Sequence, residues 1–77
     1  MDPLRTFATN VRRLRKEREL TQERLAERAG LHMTDIARIE TLRRDPGVRV
    51  VAKIASGLDI PTSELFEDVE VSAAPEP

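Results

Sequence analysis

The chain contains no cysteine. That excludes a disulfide, a thiolate zinc site and a thiol nucleophile. It has a single histidine, His32, a poor basis for a metal site. No glycine-rich phosphate loop and no convergent cluster of metal ligands is visible, so neither a metal, a cofactor nor an enzymatic role is expected. The opening stretch MDPLRTFATN lacks an apolar core, and no signal peptide is expected. No apolar run approaches the roughly 20 residues that span a bilayer. These absences predict a soluble, cytoplasmic protein with no membrane partner.

The 77 residues suffice for one small domain. Domains near this size bury only about 60% of the surface of the unfolded chain. One core of this kind supplies roughly 3–5 kcal/mol, which makes support from a partner subunit a reasonable expectation. The net charge of −1 argues at first against nucleic acid, but the charge is unevenly spread. Residues 1–44 carry eleven Arg or Lys against seven Asp or Glu; residues 45–77 carry two against seven. A basic half and an acidic half fit a molecule with one anion-facing surface. Solvation of helix faces explains the same charges, so the split is a footprint and not a proof.

Apolar spacing is helical almost throughout. Asp2-Pro3 reads as an N-cap followed by proline in the first turn. Phe7, Val11 and Leu14 then form one stripe of a first helix that ends near Glu17–Glu19. Thr21 caps a second helix whose buried face is Leu25, Ala26 and Ala29, and Gly30 closes it in a left-handed conformation. A third helix is predicted from about His32 to Thr41, with Ile36 and Ile39 inward. Asp45-Pro46-Gly47 breaks the chain. Val48, Val51, Ile54, Ala55 and Leu58 mark a fourth helix, and Pro61-Thr62-Ser63-Glu64 opens a short fifth one carrying Leu65 and Phe66. The expected fold class is all-α, a compact five-helix bundle over residues 1–68. Residues 69–77 read as a tail, with Val69–Val71 alternating like a short strand.

Residues 21–41 form a helix, a short turn and a helix. Ala26 is small enough for the third helix to cross closely, and Gly30 permits the sharp turn. Such a wedge can present one helix to the DNA major groove, which is wide enough to admit it. With Ile36 and Ile39 inward, the helical period points Thr34, Ala37, Arg38 and Thr41 outward, with Met33 on the flank. Arg38 is the leading candidate for a base contact, because arginine pairs with guanine O6 and N7. A phosphate contact or simple solvation are its alternatives. Thr21 and the first turn behind it offer backbone N–H groups to a phosphate, or serve as caps alone. His32, at the N-cap of the third helix, is a further phosphate candidate.

The run Thr21-Gln22-Glu23-Arg24-Leu25-Ala26, then Gly30-Leu31, then Ile36-Ala37-Arg38-Ile39-Glu40 resembles the Cro/C1-type (XRE-like) family of helix-turn-helix regulators. The likeness spans about residues 4–67 and is greatest to stand-alone regulators such as restriction–modification controller proteins. It implies a lambda-repressor-like DNA-binding domain and a sequence-specific regulator of transcription. Gln22 matches a glutamine that bonds phosphate and braces the recognition helix. Met33 and Thr34 match base-reading positions. Arg43 and Arg44 match basic residues that bind phosphate, with a solvated loop as the alternative. Glu40 matches a glutamate paired with an arginine of the first helix, here Arg15.

The chain also departs from the pattern. Glu19 and Leu42 stand where glycine is usual, so both turns must manage without it. Asp35 is an acid near the expected phosphates; it is read as a cap of its own helix, with acceptance from cytosine N4 as the alternative. The resemblance further implies a homodimer on a near-palindromic site, its recognition helices about 34 Å apart. The expected interface residues are Leu58, Ile60, Leu65 and Phe66, with pairing of Val69–Val71 across the dimer as an addition. The rival reading is a protein-interaction module or an antitoxin of the same fold, with a protein partner.

Overall fold

Asp2 starts the first helix as the sequence predicts: its carboxylate accepts the Leu4 N–H at 3.0 Å, and Pro3 occupies the first turn. The structure, a computed structural model, describes residues 2–68. The expected strand at Val69–Val71 lies outside them. Within them the order is α1 (Pro3–Glu17), α2 (Gln22–Ala29), α3 (Met33–Glu40), α4 (Val48–Leu58) and a 3-10 helix at Thr62–Phe66. The described residues are therefore all-helical. The fifth element departs from the α-helix expected: five residues behind Pro61 are too few to repay α-helix nucleation, and the tighter i→i+3 pattern closes the segment instead.

All four α-helices stop in the same way. Glu19, Gly30, Leu42 and Asp59 take left-handed backbone angles, with φ of 56°, 72°, 62° and 59°. The next residue in each case donates its N–H to the carbonyl five positions back. These bonds are Leu20 to Arg15 at 3.0 Å, Leu31 to Ala26 at 2.8 Å, Arg43 to Arg38 at 2.7 Å and Ile60 to Ala55 at 3.0 Å. This closure satisfies helix-end carbonyls that otherwise lack partners. Three of the four donors, Leu20, Leu31 and Ile60, also pack their side chains against the core. An apolar residue following the left-handed one thus ends the helix and anchors the turn.

The core joins every element. Phe7, Val11, Leu14, Leu25, Ile36, Ile39, Ile54, Leu58 and Leu65 are its main buried side chains. The α2–α4 contact is unusually close: a Cβ placed on Gly57 would stand 3.1 Å from the Ala29 backbone nitrogen. Arg28 adds a bond from α2, its Nε donating to the Gly57 carbonyl at 2.7 Å. Asn10, fully buried on α1, donates through Nδ2 to the carbonyls of Leu65 and Glu67, each at 2.9 Å. The 3-10 helix is thereby moored to α1, and Phe66 stacks on Phe7 with ring centroids 5.3 Å apart.

Candidate nucleic-acid interface

The wedge of α2 and α3 is held by a polar cluster at its base. Arg15 donates from Nε to Glu40 Oε2 at 2.7 Å and from Nη2 to Glu40 Oε1 at 3.0 Å. Its Nη1 reaches the Leu20 carbonyl at 2.8 Å, which fixes the α1–α2 turn. Gln22 Nε2 donates to Glu40 Oε1 at 3.1 Å and so ties the start of α2 to the end of α3. The Glu40 hydrogen bond raises the Arg15 pKa above its ordinary value, against the opposing effect of burial. Gln22 thus braces α3 directly, and the second hydrogen on its Nε2 leaves it capable of a further contact.

Thr21 caps α2, its hydroxyl accepting the Arg24 N–H at 3.0 Å, and the residue is exposed. At the start of α3, His32 and Thr34 are exposed and Met33 is 51% exposed. Ile36 and Ile39 are fully buried, which turns Arg38 outward to solvent as the period requires. Arg38 and Arg43 enter no ion pair among the described residues. The Thr41 hydroxyl folds back on the Ala37 carbonyl at 2.9 Å.

Asp35 acts as the cap expected of it. Its Oδ2 accepts the His32 N–H at 3.1 Å, closing the first turn of α3. Its other oxygen accepts from Arg44 Nη1, a link no local pattern announces because the two residues lie nine apart across a loop. Arg44 was expected as a phosphate ligand; here its guanidinium is turned onto the Asp35 carboxylate. Both acids of α3 are therefore compensated by arginines from other segments, while Arg38 stays outward and uncompensated.

The expected dimer residues divide. Leu58 and Leu65 have no exposed surface and belong to the core of the protomer, a correction to their place in an interface. Their side chains fill the space between α4, α1 and the 3-10 helix, so a partner cannot touch them. Ile60 is half-buried and Phe66 is 45% exposed. Val48, at 85% exposure, is an apolar surface residue that periodicity alone assigned to the buried face.

Residues 11–65 match the helix-turn-helix family model HTH_3. The chain belongs to this helix-turn-helix family. Among similar proteins is the control protein C.MunI of Mycoplasma sp, 38% identical over 65 residues, covering 83% of this chain and 88% of the relative. The restriction-modification controller protein C.AhdI from Aeromonas hydrophila superposes with a TM-score of 0.79 at 35% identity, covering 82% of this chain and 96% of that one. The immunity repressor protein of Bacillus phage phi105 is 37% identical over 60 residues, or 78% of this chain and 42% of the relative. The matched residues include α2 and α3, on and beside which Thr21, His32, Met33, Thr34, Arg38 and Arg43 are exposed.

Proposed function

We propose that this helix-turn-helix protein is a sequence-specific, double-stranded DNA-binding regulator of transcription that places α3 in the major groove. One observation carries the reading: Asp35 and Glu40 are both neutralised within the protein, while Arg38 points outward with its charge free for an acceptor. The outer side of α3 is thus cationic although the helix contains two acids. Arg38 reads a guanine, and Met33 and Thr34 contact neighbouring base edges. Thr21, Gln22, His32 and Arg43 hold phosphates, the first two at the start of α2, where backbone N–H groups favour an anion. Arg44 borders this surface with its charge engaged by Asp35.

Residues 1–68 form the DNA-binding unit and 69–77 a tail. The working form is a homodimer on a near-palindromic site, with Phe66 and Ile60 at the contact between copies. The similarity to controller and repressor proteins supports a role in binding rather than catalysis, and a cytoplasmic site of action. Among the described residues no helix is long and apolar enough to cross a membrane.

Fluorescence anisotropy tests the reading, using DNA from upstream of the protein's own gene and a shuffled copy at about 150 mM salt. A preference of about 10³-fold or more for the upstream probe is the expected result. Equal, weak binding to both removes regulation at that site. Binding to neither probe at low salt favours the protein-interaction reading, for which exposed Met33 and Leu42 are the apolar handles.

A further inference from the structure

Asp35 lies in the first turn of α3, at the end of the helix that meets DNA under the reading above. A carboxylate there is repelled by phosphates unless its charge is balanced. Both of its oxygens are occupied, one by the His32 N–H and one by Arg44. The positive end of α3 adds to this balance. The two side chains are 24% and 35% exposed, so the pair is partly sheltered at the rim of the surface. Arg44 comes from the segment after Leu42, and by reaching Asp35 it folds that segment back along α3.

We propose that Asp35 is a positioning residue that keeps Arg44 off the DNA phosphates and makes it a strut for the recognition helix. The inference rests on the DNA-binding reading. Arg44 has two possible anions, Asp35 and a phosphate. Contact with Asp35 costs no association entropy and satisfies a charge-assisted hydrogen bond in place. Transfer to a phosphate leaves Asp35 uncompensated beside the same backbone, where like charges repel. A phosphate contact adds equally to affinity for every sequence. Withholding Arg44 therefore lowers sequence-independent binding without removing any base contact.

The test measures binding of the full chain to a random-sequence duplex of about 20 base pairs, two helical turns, as a function of salt. The variants are Asp35→Asn, Arg44→Ala and the double variant, each checked by circular dichroism melting. Asparagine keeps an oxygen for the His32 N–H and removes only the charge. Wild type and Arg44→Ala are expected to share one log–log salt slope. Asp35→Asn is expected to steepen it by about 0.9, the value for one added phosphate, a roughly three- to fourfold larger loss over a fourfold rise in salt. The double variant returns to the wild-type slope. An unchanged slope in Asp35→Asn, or a slope about 0.9 shallower in Arg44→Ala, overturns the proposal and leaves the DNA-binding reading standing. Wild-type protein that shows no salt-dependent binding overturns both.

Discussion

Arg15 and Glu40, 25 residues apart, form a two-pronged ion pair with side chains only 10% and 3% exposed. The pair joins α1 to the end of α3, and Gln22 joins the start of α2 to the same carboxylate. The orientation of α3 is thereby tied to both preceding helices. A pair of this kind fixes geometry more surely than it adds net stability, but removing one partner strands the other.

Glu40→Ala leaves the Arg15 guanidinium without its acid, and the expected loss is about 3–5 kcal/mol. Urea unfolding checks it, with the midpoint falling at unchanged slope. The pH dependence has a definite sign. Arg15 has a folded pKa raised above its unfolded value, so its contribution is complete below the unfolded value and lost only as pH rises through the folded one. The Arg15 contribution is expected to stay flat across the neutral range and to fall in strong alkali. A loss near neutral pH that disappears in Glu40→Ala contradicts this assignment.

Glu19 and Leu42 hold left-handed angles that glycine adopts more cheaply. Glu19 is exposed, whereas Leu42 is only 37% exposed and gives up packing when its side chain is removed. Glu19→Gly is expected to stabilise by about 0.5–1 kcal/mol, after allowing for the freer unfolded chain, and Leu42→Gly by less than Glu19→Gly. Gly30→Ala is expected to do the reverse by about 1–2 kcal/mol, although nothing lies within 4 Å of the added carbon. Thermal melts of the three variants give the signs directly.

Gly57 sits inside α4, where alanine is normally the better helix former by about 1 kcal/mol. Here the added carbon meets Ala29 Cβ and N at 3.1 Å and its Cα at 3.2 Å. Two of those atoms are backbone and cannot swing aside. Gly57→Ala is expected to lose about 1–3 kcal/mol net, as overpacking does. A higher melting temperature in that variant shows that α2 and α4 separate without penalty.

Arg38 and Arg43 are expected to fail differently. Arg38→Ala costs about 1–3 kcal/mol on the preferred DNA and relaxes the choice of one base pair. Arg43→Ala weakens binding to all sequences alike and makes the salt slope shallower by about 1. Both side chains are exposed, so neither change is expected to move the melting curve. Anisotropy titrations on specific and shuffled duplexes separate the two; equal loss on both from Arg38→Ala assigns that residue to phosphate.

What the sequence by itself determined is what neighbouring residues encode. The Asp2 and Thr21 caps, the Gly30 turn, the Phe7-Val11-Leu14 stripe and the inward Ile36 and Ile39 all depend on contacts within a turn or two. Cap chemistry and helical period report those contacts without knowledge of the rest of the chain. The family motif added the Arg15–Glu40 pair and the list of DNA-facing positions. Only the tertiary structure decided what depends on distant packing. Asn10 meets Leu65 across 55 positions, and Arg28 meets Gly57 across 29. Arg44, expected as a phosphate ligand, meets Asp35 nine positions back, a contact that depends on the path of the segment after α3. Leu58, Leu65 and Phe66 look alike in the sequence, yet two are enclosed and one is half open. An apolar side chain signals burial but not what buries it, and that is settled only when the helices have packed.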